Sequence, residues 1–236
     1  MTDSATTISR ADAYVNVDGV RKIYNPGPKQ VEALSEVHCR VREGEFVSLL
    51  GPSGCGKSTL LMMVAGLESR STGHIDVGGE PMEGTREDIG LMFQDSTLLP
   101  WKTTLENVMF PIKILKRSDE EYRETAINLL TRVGLGDFLD KKPSQLSGGM
   151  RQRAAICRAL VYDPSLLLMD EPFSALDAIT RDEMNQVLMD MWQEFRKTGL
   201  FVTHSIRESV FLSDRVLVMS ARPGRIVADL TIPFPR

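Results

Sequence analysis

Residues 45–58 read EFVSLLGPSGCGKS, an apolar segment that runs directly into a glycine-rich loop. Residues 45–50 are almost continuously apolar, which predicts a strand of a parallel sheet covered on both faces. The loop Gly51-Pro52-Ser53-Gly54-Cys55-Gly56-Lys57-Ser58, here called the phosphate loop, fits the pattern G-x-x-x-x-G-K-[ST] at every position. Residues 59–67, which begin with Thr59, predict a helix. The order strand, loop, helix predicts an α/β fold.

Each part of the phosphate loop suits the binding of a nucleotide. Its glycines allow successive backbone N–H groups to curl around the β- and γ-phosphates, and the N-terminus of the following helix adds its dipole. Lys57 supplies a positive charge to the same phosphates, and Ser58 offers a hydroxyl ligand to Mg²⁺. A chance match in a glycine-rich turn would lack the strand before it and the helix after it. The loop therefore predicts binding of Mg·ATP.

A second apolar strand ends in two acidic residues. Residues 166–171 read LLLMDE, so Asp170 and Glu171 stand at the carboxyl end of this strand. Asp170 can lie near Mg²⁺, usually through water, and Glu171 can polarise the attacking water. An ordinary strand end with two solvated acids would look the same in isolation. Combined with the phosphate loop upstream, the pair predicts hydrolysis of ATP.

A third segment, Ser147-Gly148-Gly149, precedes residues MRQR and is here called the signature segment. Ser147 is a suitable N-cap, and two glycines at a helix start allow an anion to approach bare N–H groups. Ser-Gly-Gly also describes a plain loop. Its position shortly before Asp170 makes it a candidate part of the nucleotide site.

The apolar pattern of the other segments predicts the rest of the fold. Residues 14–41 predict short antiparallel strands, and residues 72–93 predict further short strands. Residues 105–160 predict helices, and alternating strands and helices follow. We therefore expect a P-loop NTPase core with a mostly parallel sheet, an N-terminal antiparallel β subdomain and an inserted α-helical subdomain. The predicted boundaries are a single domain at 13–226, an insert at 96–160, a flexible N-terminus at 1–12 and a C-terminal tail at 227–236. The predicted helices are 106–115, 119–133, 148–162, 178–197 and 206–213, and the later strands are 165–169, 200–203 and 216–219.

Composition and charge indicate the class of protein and its cellular compartment. The formal net charge of −4 argues against a dedicated nucleic-acid partner. The longest apolar run, residues 60–65, is far shorter than the ~18 residues of a spanning helix, and residues 1–10 lack the apolar centre of a signal peptide. Three widely spaced cysteines suggest a reducing compartment. These features predict a cytoplasmic protein.

The phosphate loop, the signature segment and the Asp170-Glu171 pair together resemble the nucleotide-binding subunit of an ATP-binding-cassette (ABC) transporter. The resemblance extends over residues 15–226 and includes four further landmarks in the family's order. It implies that Tyr24 stacks on adenine, although a strand tyrosine alone would more often be packing. It also implies that Gln94 touches Mg²⁺, that residues 174–177 couple two sites, and that His204 contacts the γ-phosphate.

The resemblance also implies how the site works. Two copies pack head to tail, and each ATP is held between the phosphate loop of one copy and the signature segment of the other. The implied catalytic residues are Glu171, His204 and Lys57, and the implied Mg²⁺ ligands are Ser58, Gln94 and Asp170. The implied nucleotide-binding residues are Tyr24, Gly51, Pro52, Ser53, Gly54, Cys55, Gly56, Lys57, Ser58, Thr59, Ser147, Gly148 and Gly149.

An ATPase of this kind acts through membrane partners. Residues 98–101 (LLPW) are either core of the insert or a rim that receives a short helix of a permease, with contact expected near residues 94–101. Together with residues 219–226, read as a turn with two solvated arginines, they resemble the subgroup serving nitrate, sulfonate and taurine importers. That implies a position at the cytoplasmic face of the membrane and an indirect partner, a periplasmic or extracellular solute-binding protein.

Three other functions share part of this sequence pattern. An exporter or a lipid-handling cassette fits most of the same residues. A non-transport cassette ATPase of DNA repair or translation usually carries two cassettes, a zinc module or a coiled-coil insert, and this sequence shows none of them. A P-loop kinase or GTPase would leave residues 147–149 and His204 unexplained.

Overall fold

A computed structural model describes residues 8–234 of the chain. Within this range the strands are β1 (Ala13–Tyr24), β2 (Val31–Arg42), β3 (Phe46–Leu50), β4 (Thr72–Val77), β5 (Glu80–Pro81), β6 (Ile89–Met92), β7 (Leu166–Asp170), β8 (Thr198–Thr203), β9 (Arg215–Met219) and β10 (Ile226–Thr231). The helices are α1 (Lys57–Val64), α2 (Thr104–Val108), α3 (Phe110–Ile114), α4 (Asp119–Arg132), α5 (Gly148–Leu160), α6 (Ala178–Phe195) and α7 (Ile206–Leu212), with short 3₁₀ turns at Gly136–Phe138 and Pro143–Gln145.

Six strands form the core sheet, in the order β10-β9-β3-β8-β7-β6. Neighbours from β9 to β6 are parallel, and β10 is antiparallel to β9. Parallel strands end at the same edge of a sheet, so the segments after β3, β6, β7 and β8 meet at one edge. That edge carries the phosphate loop, Gln94, Glu171 and His204, as expected for ligand sites in open α/β sheets.

The four remaining strands form a second, antiparallel sheet in the order β2-β1-β4-β5. Together with the helices α2 to α5, inserted between β6 and β7, it confirms the predicted fold class. Within residues 8–234 no helix has both the length and the apolar character needed to cross a membrane.

Two buried clusters hold these layers together. One packs the inserted helices and α6 against one face of the core sheet, with Ile112, Leu130 and Ile156 fully buried. The other packs α1 and the antiparallel sheet against the opposite face, where Leu34 and Leu60 are fully buried. Covering both faces explains why β3 and β7 are almost entirely apolar.

Several predicted boundaries differ from the structure. The helix predicted at 106–115 is two short helices, because Pro111 lacks an N–H and the chain restarts at Met109. The helix predicted at 178–197 ends at Phe195, where Arg196 adopts a positive φ of 42°. Strand β10 includes residues 227–231 of the span predicted as a C-terminal tail. Residues 1–7 of the predicted flexible N-terminus lie outside the described residues.

Candidate active site

The phosphate loop connects β3 to α1 and needs glycine at its last turn. Gly56 has a φ of 104°, a left-handed conformation that residues with a Cβ rarely adopt. A Cβ at this position would lie 2.6 Å from the Cδ2 atom of Leu34 in β2. The antiparallel sheet therefore supports the loop from one side, and the pattern position of Gly56 has a steric cause.

Lys57 is held inside the phosphate loop. Its side chain is buried, and Nζ donates to the carbonyl oxygens of Gly51 at 2.8 Å and Pro52 at 3.1 Å. The same nitrogen lies 3.5 Å from Oε1 of Glu171. Two loop carbonyls and one carboxylate thus fix a buried cation at the site where phosphate is expected.

Ser58 and Asp170 lie side by side. The Ser58 hydroxyl donates to Oδ1 of Asp170 at 2.8 Å, which joins the start of α1 to the end of β7. Burial raises the pKa of the Asp170 carboxyl, and the charge of Glu171 adds to this, while the Ser58 hydrogen bond and Lys57 oppose it. A hydroxyl and a partly buried carboxylate are oxygen donors of the kind that Mg²⁺ prefers. These two residues therefore fit a Mg²⁺ site.

Glu171 has an unusual backbone and two side-chain partners. Its φ is 44°, in the left-handed region, and its N–H donates to the Val202 carbonyl at 3.0 Å. Side-chain Oε2 lies 2.9 Å from Nδ1 of His204, which follows β8. A strained backbone at such a position is a mark of functional sites. The arrangement suits a carboxylate that accepts a proton from water, with an imidazole beside it.

A cavity of about 420 Å³ lies over these groups. Its lining contains many of the predicted residues, and several that the sequence did not single out. It is lined by Tyr24, Val31, Ala33, Ser53, Gly54, Gly56, Lys57, Ser58, Thr59, Gln94, Asp170, Glu171 and Arg222. Gly51, Pro52 and Cys55 belong to the loop but not to this lining, and Cys55 is buried. His204 reaches the site through its contact with Glu171.

Tyr24 also belongs to the cavity lining. Its hydroxyl donates to Glu68 at 3.4 Å, and the Lys22 ammonium lies 4.8 Å from the centre of its ring. Lys22 also donates to Glu68 at 2.7 Å. Tyr24 thus contacts a charged pair and also borders the cavity.

The signature segment does not line this cavity. Ser147 caps α5 by accepting from the Met150 N–H at 3.2 Å, and Gly148 and Gly149 are the first two residues of the helix. The helix is connected to the site through Gln152, whose side chain donates to the Gln94 carbonyl at 2.9 Å. Within one chain, the predicted site residues therefore form two separate groups.

Arg222 is a residue of the cavity that the sequence did not predict. It was expected to be a solvated residue of a Pro-Gly turn. Although exposed, its side chain donates from Nε and Nη2 to the Gly54 carbonyl, at 3.3 and 3.2 Å. The two residues are 168 positions apart, so no local pattern could have indicated this contact.

The chain is similar to known proteins over most of its length. The ABC transporter family profile matches residues 34–174. The taurine import ATP-binding protein of Yersinia pestis is 44% identical over 220 residues, which cover 93% of this chain and 85% of that protein. The bicarbonate transport ATP-binding protein of Synechocystis sp. is 42% identical over 230 residues, or 96% of this chain and 82% of that protein.

A solved structure gives the same result. A dimeric ATP-binding cassette in a post-hydrolysis state, bound to ADP and Pi, superposes with a TM-score of 0.80. It is 35% identical in sequence, and the match covers 94% of this chain and 100% of that one.

Proposed function

The chain belongs to the ABC transporter family, and from this membership we propose that it energises the uptake of a small solute through a membrane permease. As an ATP-binding cassette of this family it binds and hydrolyses ATP.

One observation carries the proposal most directly. Two segments of the chain, Lys57-Ser58 and Asp170-Glu171, line a single cavity. Their contacts, 2.8 Å from Ser58 to Asp170 and 3.5 Å from Lys57 to Glu171, set a hydroxyl, two carboxylates and an ammonium around the phosphate loop. This is the set of groups that phosphoryl transfer requires for positioning and charge stabilisation.

Each group then has a role. The phosphate loop and Lys57 bind the phosphates of ATP, and Tyr24 packs against the base. Ser58, Asp170 and Gln94 hold Mg²⁺, which when bound offsets phosphate charge. Glu171 accepts the proton of the attacking water. His204, through Nδ1 at 2.9 Å, keeps the Glu171 carboxylate oriented.

The separation of the signature segment supports a dimer. The cavity lining does not include Ser147, Gly148 or Gly149. These residues form the start of α5, and a helix start of this kind is a favourable position for binding an anion. The matched solved structure is a dimeric cassette bound to ADP and Pi. We propose that two copies of this chain close on two ATP molecules, each copy completing the other's site.

A second cavity supports a membrane partner. A groove of about 370 Å³ is bordered by Phe93, Pro111, Ile114 and Arg158, among other residues, and Phe93 and Ile114 are exposed. Exposed apolar side chains around a groove are typical of an interface. We propose that a short helix of a permease enters this groove. In residues 98–101 both sequence interpretations have support, because Leu98 packs against the helical core while Trp101 is 67% exposed.

The groove is linked to the nucleotide site by α5. Arg158 donates to the carbonyls of Ser96 and Thr97, at 2.7 and 2.8 Å, while Gln152 holds the Gln94 carbonyl. A displacement of the permease helix would therefore move Gln94 and the signature segment together. We propose that the protein acts as a peripheral subunit at the cytoplasmic face of the membrane.

The relatives named for taurine and bicarbonate favour import of a small solute with an acidic group, such as nitrate, a sulfonate or taurine. A solute-binding protein outside the membrane would then select the solute. An exporter or lipid-handling cassette is the alternative function, and a non-transport ATPase is a further one.

Uptake in a deletion strain tests the proposal. Cells lacking the gene are supplied with labelled taurine, alkanesulfonate, nitrate or bicarbonate, and initial uptake rates are measured. We expect loss of uptake of one of these solutes, its restoration by the wild-type gene and no restoration by Glu171→Gln. Unchanged uptake of all four, with cellular retention of another compound increased, would identify an exporter instead.

A further inference from the structure

We propose that Arg222 is a nucleotide-binding residue of the active site, which orients the phosphate loop and adds a positive charge for the phosphates. The proposal deepens the function proposed above and rests on it. The sequence and the family landmarks quoted above assign no such role to this turn.

The turn that carries Arg222 is fixed against the phosphate loop. Gly224 is buried, its N–H donates to the Ala33 carbonyl at 2.9 Å, and its carbonyl accepts from the Ser35 N–H at 2.9 Å. A Cβ on Gly224 would overlap the carbonyl oxygen of Cys55. The turn therefore lies in direct contact with the loop and is held there by β2.

Arg222 acts on one peptide group of the loop. Its Nε and Nη2 atoms donate to the Gly54 carbonyl oxygen at 3.3 and 3.2 Å. In a trans peptide the C=O and the following N–H point in opposite directions, so fixing this carbonyl also fixes the Cys55 N–H. That N–H makes only a long bond of 3.4 Å to Pro52. Arg222 thus orients an amide group in the part of the loop expected to receive phosphate.

The Arg222 guanidinium group also has hydrogen-bond donors that remain available to a ligand. In the described part of the chain its hydrogen bonds go only to Gly54, and it pairs with no carboxylate. The side chain borders the nucleotide cavity, so the Nη1 donors are available to a phosphate oxygen. An arginine with free donors beside a phosphate-binding loop is well suited to charge-assisted hydrogen bonds.

Isothermal titration with ATP and with ADP tests the inference on three variants at the same position. Arg222→Ala removes charge and donors, Arg222→Lys keeps the charge, and Arg222→Gln keeps a neutral donor. Arg225→Ala, an exposed arginine of the same turn, is the matched control. We expect about a tenfold weaker ATP affinity for Arg222→Ala, partial rescue by Arg222→Lys, less rescue by Arg222→Gln, and no change for Arg225→Ala.

Affinity for ATP within twofold of wild type in a folded Arg222→Ala protein would overturn the inference, as would better rescue by Gln than by Lys. Measurements on the wild-type protein distinguish failure of this inference from failure of the proposed function. If wild type binds and hydrolyses Mg·ATP while Arg222→Ala binds ATP equally well, only the role of Arg222 is refuted. If wild type does not hydrolyse Mg·ATP, the proposed function itself fails.

Discussion

The Nδ1 atom of His204 lies 2.9 Å from Oε2 of Glu171, while Oε1 of the same carboxylate lies 3.5 Å from the ammonium of Lys57. Each oxygen of Glu171 therefore has its own nitrogen partner, one after β8 and one at the start of α1. Two partners thus hold this carboxylate in one orientation. Its orientation matters because a general base must lie within hydrogen-bond reach of the water it activates.

Glu171→Gln should separate binding from chemistry. The amide keeps the shape of the side chain but removes the basic oxygen, so turnover should fall by about 10²–10⁴ while ATP affinity remains near wild type. Because hydrolysis would no longer separate the copies, size-exclusion chromatography with ATP should show a stable dimer. Glu120→Gln, an exposed carboxylate of α4, is the control. Normal turnover of Glu171→Gln would refute the role of Glu171.

His204→Ala should lower turnover and leave ATP affinity largely unchanged. Because His204 contacts Glu171 directly, the two residues should act as a unit in the ATPase reaction. The double variant with Glu171→Gln should then be little slower than Glu171→Gln alone. Steady-state rates of the four proteins form a double-mutant cycle. If the fold decreases in ATPase rate of the two single variants multiply to give the decrease of the double variant, the two residues act independently.

Glu68→Gln should destabilise the protein in a pH-dependent way. The hydrogen bond from Lys22 holds the pKa of the Glu68 carboxyl below 4.5, with burial opposing this. A lowered pKa gives a stabilisation that is complete above pH 4.5 and is lost as the pH falls through the lower, folded-state pKa. At pH 7 the buried Lys22 ammonium would lose its carboxylate partner, at a cost of about 1–3 kcal/mol.

Thermal unfolding of wild type and Glu68→Gln between pH 7 and pH 4 measures this effect. The difference in stability should be constant down to pH 4.5 and narrow only below it. Glu32→Gln is the matched control, because Glu32 pairs with the exposed Arg21, one position before Lys22, and such surface pairs contribute little to stability. A Glu68→Gln difference that grew on acidification would contradict the assignment.

The site could be predicted from the sequence where its chemistry is local. The phosphate loop, the Asp170-Glu171 pair and the cap at Ser147 each lie within a few residues, and their spacing reflects backbone geometry. The order of strands then brought the segments after β3, β7 and β8 to one edge, because parallel strands end together. Pattern and topology were enough for these parts.

Other features depend on contacts that no local pattern records. Arg222 reaches Gly54 from 168 residues away, and Gln152 reaches Gln94 across 58. The strand β10 was missed because it lies at the edge of the core sheet, where its side chains are mostly exposed and the apolar signal is weak. Such positions are decided by tertiary packing, against which local preference is a weak guide.

Ile114→Glu should uncouple the ATPase from transport. Ile114 is 63% exposed and borders the groove proposed for the permease helix, so a charge there should weaken docking without altering the nucleotide site. ATPase activity of the purified protein should be unchanged, while solute uptake by cells should be largely lost. Leu230→Glu, with 51% exposure on β10, is the control and should support normal uptake. Normal uptake with Ile114→Glu would exclude this groove as the docking site.

Glu208→Ala should displace His204 through the residues next to it in the chain. Glu208 is buried, accepts a hydrogen bond from Thr203 and lies 3.8 Å from the Arg181 guanidinium. Thr203 in turn accepts from the Ser205 N–H at 3.0 Å, so the residues on both sides of His204 depend on this carboxylate. Removing it leaves a buried hydroxyl and a guanidinium without their partner, which should cost about 1–3 kcal/mol of stability.

The variant Glu208→Ala should also lower turnover more than ATP affinity, because it displaces His204 and not the phosphate loop. Asp182→Ala is the matched control. Asp182 pairs with Arg207, whose side chain is 80% exposed, between the same two helices, and such surface pairs contribute about 0–1 kcal/mol. Thermal unfolding and steady-state ATPase rates of both variants are the measurements. If the two variants behaved alike, the buried position of Glu208 would have no bearing on His204, and its role in positioning the imidazole would be refuted.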